Sequence, residues 1–485
     1  MNAAEVKVQG CYIGGEWIVP DDTRIIDVKN PADGAVLASV PRGDVAEIDL
    51  AVKAAKTAFQ SEEWKSFKPY ERGKVLNKVA DIIRENKERL ANLETLDVGK
   101  PLAQSEVDVE IAARYFEYYA GMADKILGET IPVEPGIIDY TVREPLGVVG
   151  HIIPWNYPLQ IAARSIAVSI ATGNATVLKP AEDTPLSTLH LVQLMEPLGL
   201  PKGIVNVVTG YGHEAGAALS AHPDINHITF TGSVETGKRV MQSAAQNIVP
   251  VTLELGGKSP NIVSADCNEE KALEWVLKSI IQNAGQTCSA GSRLVIEKSI
   301  KEAFVEKLAA EMKKLSIGPG MNNHDLGPVL SQKQFERIQS FIVLAKQEGI
   351  RIATGGEREM VDGSESGYYI QPTILDNVPA NHHLAQEEIF GPVLTVTTFE
   401  TEKEAIEIAN GTQYGLVAGI WTENVGKAHR VANQLQCGQV FINHYGAGGG
   451  IAIPFGGYKK SGFGREKGLE ALRNYTQVKN VAVKY

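Results

Sequence analysis

The spacing of hydrophobic positions changes near residue 147, and the change divides the chain into regions of different build. From 44 to 121 apolar residues recur at helical spacing. Val45, Ile48, Val52 and Ala55 share one face, and Val75, Leu76, Val79, Ile82 and Ile83 repeat the pattern after the break at Pro69. Beyond 147, short β-rich runs at 148–153, 175–179, 204–208, 227–230 and 251–254 alternate with helical stretches opening near Leu159, Leu186, Glu214 and Thr236. Such alternation predicts a parallel sheet covered on both faces. A second alternating region spans about 256–460, with helices predicted at 270–282, 299–314 and 402–410 and strands at 293–297, 416–421 and 438–442. Between helices and first sheet, the stretch 128–143 places β-branched residues around a Pro-Gly turn, which predicts a hairpin. A hairpin alone is marginal in water and needs a partner strand.

Composition narrows the function class. A chain of 485 residues exceeds one ordinary core, so two or three domains are expected. The net charge of −11 argues against nucleic-acid binding as a main function, since phosphate contacts need a basic surface. No apolar run approaches the ~20 residues that span a bilayer, and Met1 to Gly10 lacks the basic and apolar regions of a secretory signal. Cys11, Cys267, Cys288 and Cys437 are scattered and form no CxxC pair, so reduced thiols and a cytoplasmic location are expected. No metal site is predicted: the histidines form no HExxH, and adjacent His382 and His383 point apart.

The candidate chemistry centres on Cys288, set among small, flexible residues in Asn283-Ala-Gly-Gln-Thr-Cys-Ser-Ala-Gly291. Upstream, Glu254 lies in Leu253-Glu-Leu-Gly-Gly-Lys258. A thiolate with a carboxylate base suggests covalent catalysis, although a lone cysteine is more often a small buried hydrophobe. Asn156, before Tyr157 and Pro158, has an amide able to stabilise an oxyanion; read alone it is a helix cap. Gly210-Tyr-Gly-His-Glu-Ala-Gly216 gives a GxGxxxG spacing that is either a phosphate loop or a tight turn. Phe230-Thr-Gly-Ser233 joins a strand to a helix, where free N–H groups favour an anion. Lys179 and Glu182 stand at the carboxyl edge of a predicted strand, where such sheets bind ligands. A carboxylate there accepts ribose hydroxyls and repels a 2′-phosphate, which favours NAD over NADP.

Taken together with Pro154-Trp-Asn-Tyr-Pro158, Leu178-Lys-Pro-Ala-Glu182, Glu387-Glu-Ile-Phe-Gly-Pro392 and Pro454-Phe-Gly-Gly-Tyr-Lys459, these strings resemble the NAD(P)-dependent aldehyde dehydrogenase superfamily, in its order and from about residue 10 to the C-terminus. The resemblance implies an α/β protein: a Rossmann-like parallel-sheet cofactor domain (1–122 and 146–255), a second α/β catalytic domain (256–470) and a small β oligomerisation arm (123–145 and 471–485). In that arm the 128–143 hairpin would join a strand around Val478 to Val483 and build a homodimer or homotetramer interface. The implied catalytic set is Cys288, Glu254, Asn156 and Lys179. The implied NAD set is Ile153, Pro154, Trp155, Lys179, Glu182, Gly212, Gly216, Phe230, Gly232, Ser233, Leu255, Glu388 and Phe390. Substrate contacts would come from Ile111, Tyr157, Gln160, Arg164, Gln282, Thr287, Ser289, Tyr445 and Phe455, with room left beside Gly446 to Gly450.

Tyr157, Gln160 and Arg164 share a helical face. Arg164 stands where betaine-aldehyde members carry a tryptophan, and a fixed cation there predicts a polar, anionic or aromatic aldehyde. The alternative is that Arg164 pairs with a neighbouring carboxylate and never meets substrate. Other readings are a betaine, amino-aldehyde or semialdehyde enzyme, a CoA-acylating relative, and a non-catalytic structural member. Glu254 argues against CoA acylation, because a water-activating base would waste the thioester.

Overall fold

The computed structural model describes residues 10–19, 24–446 and 450–485. Most of the N-terminal stretch and the centre of the glycine patch 446–450 lie outside the described residues. The architecture is α/β, built on two large sheets.

The first sheet has eight strands in the order Gly462–Phe463, Val251–Glu254, His227–Thr231, Val148–Ile152, Ala175–Lys179, Val205–Val207, Cys11–Ile13, Glu16–Ile18. The five central strands run parallel, as their near-continuous apolar runs predict for strands buried on both faces. Helices Val45–Gln60, Pro69–Glu85, Leu102–Met122 and Pro158–Thr172 contribute to the same core. On the first of these Ile48, Val52 and Ala55 are buried as expected, but Val45 is 66% exposed, because the capping box of Asp44 and Glu47 starts the helix there, one turn before the packed face.

The second sheet has seven strands, ordered Arg351–Thr354, Thr373–Asp376, Val393–Phe399, Arg293–Glu297, Pro260–Val263, Val417–Trp421, Gln439–Ile442. All pairs except the first are parallel. Gly462–Phe463 leaves the second sheet region and pairs antiparallel with Val251–Glu254 of the first, Leu253 opposite Phe463 and Glu254 opposite Gly462. Gly462 is required there, since a Cβ would lie 1.9 Å from Leu253 O.

A third, antiparallel sheet pairs Ile137–Pro145 with Thr476–Lys484 over nine residues and with Thr130–Ile131. The predicted hairpin thus finds its partner in the C-terminal strand. Among the described residues no helix is long and apolar enough to cross a membrane.

Candidate active site

Cys288 lies in a loop that follows the helix Glu269–Ile281, and that loop is held rather than flexible. Asn283, Ala284 and Gly285 take left-handed conformations in succession (φ 48°, 51° and 74°). For the two non-glycine residues such backbone costs on the order of 1–3 kcal/mol each and persists only where the surroundings impose it. Those surroundings are specific. Asn283 Nδ2 donates to Asn156 O (3.0 Å), Gln286 Nε2 to Asn283 O (3.0 Å), and the Leu330 N–H to Gln286 Oε1 (2.9 Å). Gly285 packs so closely on the next loop that a Cβ would meet Gly391 O at 2.1 Å.

The segment 156–157 clamps this loop at two points. Asn156 Nδ2 donates to Gln286 O (3.0 Å), and the Tyr157 hydroxyl bonds Thr287 Oγ1 (2.8 Å). Asn156 is not a cap: the helix Pro158–Thr172 begins without a side-chain capping bond, and Asn156 is turned toward the cysteine loop. Among the described residues the Cys288 N–H donates no hydrogen bond, so it is available as a donor. Tyr445 supports the far side of the loop through Ser289 O (2.9 Å). Burial pushes the Cys288 thiol up to about 12, Glu388 and Glu254 add to the rise, and Arg164 and Lys467 oppose it.

Glu254 ends the strand Val251–Glu254, 2% exposed, and neither carboxylate oxygen has a hydrogen-bond partner among the described residues. Its Oε1 rests against Gly456, where a Cβ would come within 2.8 Å. Burial holds this carboxyl well above the usual range, with Glu466 raising it further against Arg164, Arg465 and Lys467.

Arg164 has the neighbouring carboxylate partner that the alternative reading expected. Its guanidinium is buried and pairs with Glu466 (Nε to Oε2, 3.1 Å), while Nη2 donates to Thr231 Oγ1 (3.2 Å). A cation already neutralised in the core does not form a free tunnel wall. Gln160 likewise spends its amide N–H on Asp108. Asp108 also binds the buried ammonium of Lys100 (2.6 Å), which stands 4.2 Å from the Tyr157 ring centre. Glu466, Lys100 and Asp108 carried no signal in the sequence, because their importance comes only from what folds against them.

The remaining substrate candidates divide. Phe455 packs on the same apolar cluster as Cys288. Gln282 is exposed, its carbonyl accepting from Thr287 Oγ1 (3.5 Å). Ile111 lines a surface depression of about 330 Å³ with Lys87, Glu106, Val107, Glu110 and Arg114, none of them a predicted site residue.

A second group lines the carboxyl edge of the first sheet. Lys179 Nζ pairs with Glu182 Oε2 at 2.6 Å. Burial pushes the Glu182 carboxyl up, but Lys179 and the Gly212 N–H outweigh it and the carboxylate ends lower than usual. Gly216 leaves space beside the Lys179 stem, where a Cβ would sit 4.0 Å from Cδ. The Ile153 N–H bonds Lys179 O (2.9 Å), and the Trp155 ring meets Phe390 edge-on at 5.3 Å. Ser233 caps the helix Val234–Ala245 through the Thr236 N–H (3.2 Å). The Gly232 N–H bonds Glu254 O (3.0 Å), which ties this turn to the base-bearing strand, and Leu255 N–H is held by Ser461 O (3.0 Å).

Glu388 reaches the same cleft across Gly256 and Gly257. Its Oε1 accepts the Gly257 N–H (2.9 Å), and a Cβ on Gly256 would lie 2.2 Å from Oε2. On the other side of the loop, a Cβ on Gly257 would meet Cys288 O at 2.5 Å. The two glycines therefore allow carboxylate and cysteine segment to approach from opposite sides. Burial raises the Glu388 carboxyl to about 7.

A doubly covered parallel sheet with a charged carboxyl edge defines a protein of the dinucleotide-binding α/β class, here with a thiol and an unpaired buried carboxyl set against that edge. Known proteins agree. The aldehyde dehydrogenase family model matches residues 17–481. The betaine aldehyde dehydrogenase of Bacillus subtilis (strain 168) is 42% identical over 476 residues, 98% of this chain and 97% of that protein. Two solved structures superpose with a TM-score of 0.96. They are an NAD+ complex of aldehyde dehydrogenase from Bacillus cereus (44% identity, 99% and 97% covered) and betaine aldehyde dehydrogenase from Staphylococcus aureus with NAD+ (41%, 99% and 96%). The chain belongs to the aldehyde dehydrogenase family.

Proposed function

We propose that the protein oxidises aldehydes to carboxylic acids with NAD+, in the balance aldehyde + NAD+ + water giving acid + NADH + H+. The observation that carries this reading is Glu254: a carboxyl with two partner-free oxygens, deeply buried, in the electrostatic reach of Cys288. Such a group is costly to keep unless it serves a reaction.

The cleft fits a dinucleotide. Glu182 would accept the adenosine ribose hydroxyls, with Lys179 fixing its orientation. The Ser233 turn opens a twelve-residue helix whose first N–H groups favour a pyrophosphate, and Glu388 would hold the second ribose. Bound there, the nicotinamide supplies the hydride acceptor.

The chain's own groups do the rest. Cys288 gives its proton to solvent water, which is the H+ of the overall balance, and forms a carbon–sulfur bond to the carbonyl, and the oxyanion is received by Asn156 Nδ2 and the Cys288 N–H. After hydride loss the adduct is a thioester. Glu254 takes a proton from water as that water attacks, the carbon–sulfur bond breaks, and the thiolate is restored. Burial of the carboxyl suits it to this step, since an ionised Glu254 with no partner is a strong base. The same feature speaks against transfer of the acyl group to CoA.

The test is NADH formation from a simple aldehyde without CoA, with sustained turnover expected. Cys288→Ala should lose activity while still binding NAD+; turnover within about tenfold of the parent would remove the thiol from the mechanism.

A further inference from the structure

Two observations single out Lys467, a residue the mechanism above does not use. Its backbone is left-handed (φ 68°, ψ 164°), a region essentially reserved for glycine. It also lies in the strap Phe463 to Gly468 that returns over the site, tied down by the paired bonds of Phe455 and Glu466 (2.7 Å each way) and by the Gly468 N–H to Ile451 O (2.9 Å). The strap imposes the conformation, and the side chain is delivered to a defined place. Its ammonium stands 4.9 Å from the centre of the Phe455 ring, and Phe455 packs on the apolar cluster that Cys288 also touches.

The other cations around the thiol are committed or sealed. Arg164 is paired with Glu466, Arg465 Nη1 donates to Gly457 O (3.2 Å) and Gly464 O (2.6 Å), and Lys179 is paired with Glu182. Lys258 is 1% exposed. Among the described residues Lys467 has no carboxylate partner and no side-chain hydrogen bond, and it is half-exposed. Its positive charge reaches both Cys288 and Glu254, where it favours the ionised forms.

We propose that Lys467 determines specificity by receiving a carboxylate on the substrate, so that aldehydes bearing a carboxylate at their far end are preferred. This rests on the oxidation assigned above and transfers to Lys467 the selecting role that the sequence suggested for Arg164. A cation over an aromatic face keeps its free side for an anion, and the ring holds the stem in place. An ammonium suits this task as a point charge that tolerates several approach directions.

The experiment compares kcat/KM for unbranched aldehydes of four to six carbons with and without a terminal carboxylate, in the parent, Lys467→Met and Lys467→Arg. The parent is expected to favour the charged member of at least one pair by about tenfold or more, the size of one charge-assisted hydrogen bond. Lys467→Met should remove that preference through KM of the charged aldehyde, and Lys467→Arg should keep most of it. Added salt should erode the preference in the parent. Equal losses on both members of a pair would mean that Lys467 only tunes the thiol and base, and would overturn the proposal; so would a parent that prefers the neutral aldehydes. A parent that oxidises neither class defeats the oxidation reading instead. The Lys467 assignment is then read from protection: glutarate and adipate should slow iodoacetamide alkylation of the Cys288 peptide in the parent and not in Lys467→Met. Equal protection in both overturns it.

Discussion

Glu182 and Glu254 stand at the same edge of the same sheet, one just past the strand Ala175–Lys179 and the other at the end of Val251–Glu254, yet their chemistry differs. Glu182 is 30% exposed in its side chain, bonded to Lys179, and ionised more readily than usual. Glu254 is sealed, unbonded, and ionised with difficulty. Position in the fold therefore does not set the role of a carboxylate; its partners and its access to water do. A paired carboxylate is a fixed acceptor. An unpaired, buried one is a proton acceptor waiting for a reaction.

The strongest way to break this contrast is Glu254→Gln. Hydride transfer should survive and hydrolysis should fail, giving a burst of about one NADH per site and then a steady rate lowered by roughly a hundredfold or more. Rapid-mixing absorbance with intact mass reads both, and an undiminished steady rate would assign the base elsewhere. Next in size is Arg164→Met, which leaves Glu466 buried beside Glu254 without its counter-charge. Stability should fall by about 3–5 kcal/mol, read by denaturant unfolding, because one charge of a buried pair is left alone. A loss well under 1 kcal/mol would show that Glu466 finds other partners.

On the paired side, Glu182→Gln should shift the ratio of kcat/KM for NAD+ over NADP+ toward NADP+ by about tenfold, since a charge that repels the 2′-phosphate is gone. An unchanged ratio would detach Glu182 from cofactor choice. The smallest effect sharpens the comparison through pH. Glu254 has a raised pKa in the folded state, so its contribution to stability is present in acid and is lost as pH rises above the unfolded carboxyl value. The Tm of Glu254→Gln should therefore exceed that of the parent at alkaline pH, by about 1 °C per kcal/mol for a chain of this length, with the gap closing toward pH 4. A constant gap would mean that the carboxyl ionises as freely folded as unfolded.

Much of this was legible in the sequence. Five central strands, the main helices of the first region and the 128–143 hairpin follow from apolar periodicity and turn residues, which act locally, whereas the hairpin's partner strand was implied only by the family resemblance. The motif strings located Cys288, Glu254, Asn156 and the Lys179–Glu182 pair. The strand Gly462–Phe463 was not legible, because two residues carry no period and their pairing depends on a strand remote in the chain. The same holds for the partner of Arg164. A sequence shows that a cation exists at a helical face; only the fold shows that Glu466 comes to meet it. Asn156 illustrates the reverse case, in which the local preference for capping lost to a bond with Gln286 O across the cleft.

The strand Gly462–Phe463 also sets a schedule. A ribosome delivers the nucleophile, the base and both glycines that separate them well before it delivers the strap that pairs with Leu253 and Glu254, brings Glu466 to Arg164 and places Lys467 on Phe455. Until then the edge of the first sheet is open and Arg164 has no counter-ion. A chain lacking this strap would hold Cys288, Glu254 and Asn156 and still lack the strand pairing and the ion pair that surround them.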